Sequence, residues 1–204
     1  MTITRYFQSC LLVEEGSARI LIDPSGQETD RFDEFGKLDA VLYTHEHGDH
    51  FEAALAQKFA EKGAKVYLNA STAKKLQTEA SVVEDGQQLE INGLKIRAIE
   101  LPHCLMWDGS AGPQNTGYLI NERFFHPGDG KELAGLSVEI LACPITGPDV
   151  SLKDAFSFIK QLSAKKAIPI HYDFIGTKPE VFAGLADTTG YDVHVLHIGE
   201  KLEL

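Results

Sequence analysis

Thr44-His45-Glu46-His47-Gly48-Asp49-His50 decides how the rest of the chain is read, because the six positions from His45 to His50 hold three imidazoles and the carboxylate of Asp49. The stretch follows a short apolar run, Asp39 to Tyr43. It precedes Phe51 to Lys62, where Leu55, Phe59 and several alanines recur at helical spacing until Gly63 ends the pattern. The histidines therefore fill a strand-to-helix loop. Imidazole and carboxylate at this density suit borderline cations, zinc first, with manganese or iron as alternatives. In a loop they can converge on more than one ion. A polar surface loop with accidental histidines is the competing reading, but the chain has only 8 histidines in 204 residues. An inverted His-Glu-x-x-His protease helix fails on spacing and on Gly48, which disfavours a helix there. The helix after His50 brings free N–H groups and a positive end beside the cluster, which favours an anionic ligand.

Working outward, Thr2 to Glu14 and Ala18 to Asp23 read as the strands of a hairpin turning at Glu15-Gly16, the second stopped by Asp23-Pro24. Beyond the loop come a strand at Lys65 to Leu68, a short helix from Ser71 to Gln77 capped by Ser71, and a hairpin from Gln88 to Leu101 turning at Asn92-Gly93. Strands at Thr116 to Asn121, Arg123 to His126 and Ser137 to Ala142 precede a helix from Ser151 to Leu162. A strand at Lys166 to Ile170, a helix from Pro179 to Ala186 and a last hairpin follow. Clustered strands and then αβ alternation in each half predict two β-sheets face to face with helices outside, an α/β (α+β) class in one domain over residues 1–204.

Composition narrows the function. A formal charge of −11 without a Lys/Arg cluster argues against a broad basic face for long nucleic acid. Bound cations would still concentrate positive charge in a cleft. No segment approaches the roughly 18 apolar residues of a membrane span, so no membrane partner is expected. The first residues lack a signal peptide's basic, apolar and small-residue features, which predicts a cytoplasmic protein. Cys10, Cys104 and Cys143 are odd in number and widely spaced, as free thiols in a reducing compartment are. A homo-oligomer is left open.

His-x-His-x-Asp-His after a short strand, with Ile22-Asp23-Pro24 upstream, resembles the metallo-β-lactamase superfamily. Later landmarks follow in that family's order: Pro102-His103, then Gly128-Asp129 after a strand, then His171 ending Ile168-Pro169-Ile170-His171. Asn115-Thr116-Gly117-Tyr118, Pro127-Gly128-Asp129, Cys143-Pro144-Ile145-Thr146-Gly147 and the stretch to Tyr172 are similar to the compact lactonase-like, UlaG-like metal-dependent hydrolases. The likeness runs nearly end to end. It implies a four-layer αββα sandwich of two mixed sheets flanked by helices. It also implies two divalent ions: His45, His47 and His103 on one, Asp49, His50 and His171 on the other, Asp129 bridging both. Asp23 is implied to orient the His loop, against the plainer reading of an Asp-Pro turn. His126 and Tyr172 are candidates just behind the ligands, Tyr172 as a proton donor or, more plainly, a packed aromatic. Cys104 and Cys143 lie near the candidate ligands, but the His/Asp set already fills both places.

The implied activity is hydrolysis by a hydroxide held between two ions, since metal binding draws the pKa of water towards neutrality. Asp49 and Asp129 are its catalytic carboxylates, and the substrate is a small ester, lactone or phosphodiester. Two dications against Asp49, Asp129 and hydroxide leave a local charge near +1, which tolerates an anionic or carbonyl-containing small molecule. A nuclease-like phosphodiesterase and a non-catalytic metal-binding module are the alternatives. Oxygen or nitric oxide reduction at two irons would want a carboxylate where His47 stands. The chain departs from the lactonase-like pattern twice: Gln8-Ser9-Cys10 replaces a common Gly-His, and Gly130 stands where threonine often follows Gly-Asp. The loops Leu105 to Gln114 and Pro144 to Val150 are placed to choose the substrate, with Met106 and Trp107 as an apolar wall or a packed anchor.

Overall fold

Neighbouring side chains of a strand leave by opposite faces, so runs such as Leu11-Leu12-Val13 and Ile20-Leu21-Ile22 need apolar cover on both sides. The computed structural model describes residues 1–76, 80–174 and 177–204 and supplies that cover. Its first half runs β1 (Thr2–Arg5), β2 (Leu11–Glu15), β3 (Ala18–Ile22), β4 (Ala40–Leu42), α1 (Ala53–Glu61), β5 (Lys65–Leu68), α2 (Ala70–Ala73) and β6 (Ser81–Val82). The rest runs β7 (Gln88–Ile91), β8 (Leu94–Glu100), β9 (Thr116–Ile120), β10 (Phe124–His126), β11 (Ile140–Pro144), α3 (Leu152–Gln161), β12 (Lys166–Ile170), α4 (Pro179–Thr189), β13 (Asp192–Val193) and β14 (Lys201–Glu203). One sheet has the order β14-β1-β2-β3-β4-β5-β6, the other β13-β12-β11-β10-β9-β8-β7. Each mixes antiparallel and parallel pairs, the parallel ones being β3 to β6 and β10 to β13.

Three buried clusters mark the layers. Leu11, Val13, Ile20, Ile22 and Leu42 meet Ile96, Tyr118, Ile120, Ile140, Ile168 and Ile170 between the sheets. Leu12, Leu21, Val41 and Tyr43 point the other way, onto Leu55 and Phe59 of α1. Leu119, Phe125, Leu141 and Cys143 do the same on the second sheet, against Phe158 and Ile159 of α3 and Phe182 of α4. The order is therefore helix, sheet, sheet, helix, as the resemblance implies.

The structure corrects several expectations. Thr2 to Glu14 is two strands: Tyr6 N donates to Cys10 O and Cys10 N to Phe7 O, folding β2 back on β1 so that Arg5 faces Leu11. Gln8 takes φ +57° in that turn without being glycine, so the sequence carries no turn signal there. The last hairpin does not form, because β13 joins β12 in the second sheet while β14 crosses to β1 in the first. Asn69, not Ser71, caps α2, accepting from Thr72 N; Gln77 lies outside the described residues. Residues Gly26–Phe35, read as no element, form a 3-10 segment closed by a Ser25–Glu28 capping box. Among the described residues no helix is long and apolar enough to cross a membrane.

Candidate metal centre

β3 ends at Ile22 and β4 at Leu42, neighbours in parallel register, so Asp23 emerges beside Thr44. Asp23, buried and at φ +51°, accepts from Thr44 N (2.8 Å, Oδ1), Thr44 Oγ1 (2.7 Å, Oδ2) and His50 Nδ1 (2.8 Å, Oδ2). Because its hydroxyl donates to Asp23, Thr44 Oγ1 can only accept from His45 Nδ1, 3.0 Å away. One buried carboxylate thus orients two imidazoles, one directly and one through a hydroxyl. Asn69 Nδ2 donates to Thr44 O at 2.9 Å and fixes the start of the loop. Thr44 and Asn69 were not singled out in the sequence. Position 44 carried a signal, a hydroxyl directly before the first histidine, whereas Asn69 carried none. Asp23→Asn replaces an acceptor by an amide donor facing His50 and Thr44. It is expected to weaken cation binding roughly 10–100-fold, read by metal titration.

Three further histidines or carboxylates arrive from the second sheet. His103 follows β8 and donates from Nδ1 to Cys104 O at 2.6 Å. Gly112 makes room for it, since a Cβ there would lie 2.3 Å from His103 Nδ1. His171 follows β12, at φ +62°, and donates from Nδ1 to Thr146 O at 2.8 Å. Asp129 follows β10, its backbone N–H on Asn115 Oδ1 at 3.4 Å.

With the Nδ1 atoms of His45, His50, His103 and His171 answered from outside, their Nε2 atoms face inwards. Asp129 Oδ1 lies 3.0 Å from His50 Nε2, while Oδ2 lies 3.4 Å from His103, 3.2 Å from His171 and 3.9 Å from His45. Asp49 Oδ2 lies 3.2 Å from His171 Nε2 and 3.9 Å from His50 Nε2. His45 Nε2 and His47 Nδ1 are 3.2 Å apart. The ligand-type atoms fall into two groups, each within 4.8 Å: His45, His47, His103 and Asp129, and Asp49, His50 and His171.

This donor set fits divalent cations. The Nε2 atoms of His50, His103 and His171 and Oδ1 of Asp129 are buried and complete no hydrogen bond among the described residues. Buried polar atoms left open cost about 1–3 kcal/mol each, so their gathering at one point calls for an occupant. Two nitrogens bound at about 2.0–2.1 Å to one tetrahedral ion lie roughly 3.3–3.4 Å apart, close to the His45–His47 spacing.

The charges agree. Burial opposes a proton on His103 and His171, yet the Asp129 carboxylate outweighs it and both are pushed up to about 10. His50, between Asp129 and Asp23, rises well above the ordinary imidazole value for the same reason. Burial and the neighbouring His50 hold His45 well below it. Asp129 is buried, which opposes its charge, but His171 and His50 keep it well below the usual carboxylate range. Two buried carboxylates thus demand positive charge at the inner nitrogens, as protons or as a cation.

The other candidates lie elsewhere. His126 donates from Nε2 to Ser9 O (2.8 Å) and accepts Gly128 N–H on Nδ1 (3.2 Å), so it props the Gly128-Asp129 turn from behind. Tyr172 is the packed aromatic: its hydroxyl donates to Leu196 O at 3.3 Å, its ring lies 4.3 Å from the Arg5 guanidinium, and burial pushes it up to about 12. α1 starts later than expected, and Glu52 caps its first turn through Ala54 N, so its positive end is answered by a carboxylate. Burial pushes the Cys10 and Cys143 thiols up, against thiolate ligation. The Gly130 departure is steric, since a Cβ there would meet Leu101 Cδ1 at 2.4 Å. Gln8, the other departure, donates from Nε2 to Asp49 Oδ2 at 3.1 Å.

Members of both groups line a cavity of about 310 Å³. His47, Asp49, His103, Asp129 and His171 contribute to it together with Gln8 and the apolar Met106, Trp107, Pro148 and Phe174. Trp107 and Phe174 are 70% and 53% exposed, at the mouth.

Residues 2–171 match the beta-lactamase superfamily domain. A metal-dependent hydrolase of Thermoplasma volcanium is 30% identical over 93% of both chains. The chain belongs to the metallo-β-lactamase superfamily, in a family of metal-dependent hydrolases. Another relative, a protein of Mycobacterium tuberculosis, is 29% identical over 96% of both chains. The solved structure of a metallo hydrolase from Ignicoccus hospitalis superposes with a TM-score of 0.82 over 100% of this chain and 98% of its own. At 22% identity that likeness speaks for the superfamily fold alone.

Proposed function

We propose that the two groups hold two divalent cations bridged by Asp129, and that the centre hydrolyses a small uncharged carbonyl compound, an ester or lactone. The observation that carries this reading is the Asp129 carboxylate, whose two oxygens lie within 3.4 Å of inward nitrogens from both groups. When bound, such cations supply an activated water and positive charge for a developing oxyanion.

The chain's own residues set the conditions for that chemistry. His45, His47 and His103 would hold one cation, and Asp49, His50 and His171 the other. Burial opposes charge on Asp49, but the His171 ring 3.2 Å away and the nearby His50 outweigh it and hold it below the usual carboxylate range. Such a group stays charged and is a weak base, so its part is to hold a cation. Trp107, Met106 and Phe174 offer an apolar face to the substrate's acyl or alcohol portion.

The lining favours the uncharged class. Among the described residues it contains neither lysine nor arginine. Lys131 is engaged by Asp149 at 2.7 Å, and Arg5 by Asp173. A phosphodiester would meet the cations alone, without the basic side chains that commonly clamp phosphate.

Two measurements test this. Purified protein should carry about two equivalents of zinc, manganese or iron, and chelation should abolish turnover of a panel of lactones, aryl esters and phosphodiesters. Less than about one equivalent, unchanged by His47→Ala, would sink the two-cation reading. Trp107 is the sole tryptophan, so its emission reports directly on the cavity. Phenylacetamide, an uncharged ester mimic, should shift it at lower concentration than diphenyl phosphate, and the reverse order would favour the phosphodiesterase.

A further inference from the structure

We infer that Gln8 is the positioning residue for the second cation place, holding Asp49 and His171 together through its side chain and its backbone at once. The inference rests on the two-cation reading above. Gln8 is 1% exposed and sits in the turn between β1 and β2.

The direction of its amide follows from its partners. Asp173 N donates to Gln8 Oε1 at 3.0 Å, so the carbonyl side is fixed and the NH2 side must face Asp49 Oδ2, 3.1 Å away. Asp49 Oδ2 is the same oxygen that lies 3.2 Å from His171 Nε2. On the backbone, Gln8 O accepts from His171 N at 3.0 Å, and Gln8 N donates to Asp173 Oδ2. Gln8 therefore touches one candidate ligand with its amide, the other with its carbonyl, and the segment after His171 through Asp173.

The anchor behind it is equally built. The Arg5 guanidinium, 2% exposed, binds the same Asp173 carboxylate and lies over the Tyr172 ring. Gln8 (φ +57°) and His171 (φ +62°) both occupy the left-handed region that side chains other than glycine rarely adopt. Such conformations persist where surrounding contacts over-determine them, and here the two strained residues hold each other. The other group, His45, His47 and His103, receives none of these contacts. Gln8 should act on one cation place and spare its neighbour.

The test uses the whole chain stripped of metal by chelator and titrated with zinc by calorimetry. Gln8→Met keeps the length of the side chain and removes both amide bonds. Asp173→Ala leaves Gln8 in place and removes its anchor without touching Asp49. Wild-type protein is expected to bind two equivalents. Both variants should bind the first equivalent as wild type does and the second roughly 10–100-fold more weakly, the scale of losing a residue that orients a ligand. The metal-free melting temperature of Gln8→Met should fall by only about 2–4 °C per lost hydrogen bond. That of Asp173→Ala should fall further, because the buried Arg5 guanidinium loses its carboxylate. Two equivalents at wild-type affinity in Gln8→Met would overturn the inference. So would an equal weakening of both equivalents in Gln8→Met in step with a large fall in its metal-free melting temperature, the signature of a merely structural role. If wild type itself takes up one equivalent or none, the two-cation reading fails first and this inference with it, before any variant is compared.

Discussion

Asp129→Ala is expected to reduce the bound cations from two to at most one and to lower kcat/KM on any substrate found by on the order of 10³-fold, the scale of losing a fixed group that stabilises the reacting charge. Asp129 alone among the candidate ligands places oxygens near His50 and His171 on one side and His103 on the other. Removing it leaves facing imidazoles with no shared counter-charge at a buried point. Each cation place would lose an oxygen, and their mutual repulsion would no longer be bridged. Metal analysis beside steady-state kinetics reads the result. Two cations and near-normal turnover in the variant would mean that the carboxylate sits at the centre without serving it.

Gly128→Ala is expected to cost about 2–5 kcal/mol of stability. Gly128 takes φ +59°, and a Cβ there would lie 2.2 Å from Asn115 Oδ1 and 2.8 Å from the Thr44 side chain. The left-handed backbone contributes about 1–2 kcal/mol with any side chain, and forcing a methyl into filled space about 1–3. For a chain of this size the melting temperature should fall by roughly 4–20 °C. The same methyl would displace Asn115 from Asp129 N and Thr44 from Asp23, so cation binding should weaken as well. A melting temperature within about 2 °C of wild type would show that the turn relaxes around the methyl at little cost.

Much of the centre was legible because each candidate ligand sits where a strand ends, within a few residues of a local marker. His45 to His50 could be read directly. The orienting role of Asp23 came from the resemblance alone, since Asp23-Pro24 by itself reads as a turn. The partners that fix protonation were not legible. Thr44 Oγ1 passes a hydrogen bond from His45 to Asp23, and Cys104 O and Thr146 O receive His103 and His171; backbone carbonyls carry no residue signature. Gln8 looked like a loss relative to the common Gly-His and turned out to touch Asp49.

The fold followed a similar division. Continuous apolar runs such as Leu11-Leu12-Val13 and Ile20-Leu21-Ile22 specified strands covered on both faces, and Asn92-Gly93 its hairpin between β7 and β8. The turn at Tyr6–Cys10 escaped because its left-handed residue is glutamine, and apolar residues on both flanks read as one strand. The fate of β14 escaped because a pairing partner nearly 200 residues away leaves no local trace, and β13 was then paired with the wrong neighbour instead of β12.

That distant pairing shapes how the chain must fold. β14 covers the outer edge of β1, with Thr2 opposite Glu203, and the two are drawn from opposite ends of the sequence. During synthesis the backbone groups of β1 on that side remain open until the whole second sheet has been made. An exposed strand edge invites pairing with other chains, and contacts of such long sequence separation close slowly. Between the emergence of β1 and the arrival of β14 this edge is therefore open to pairing with other chains, and β14 closes it.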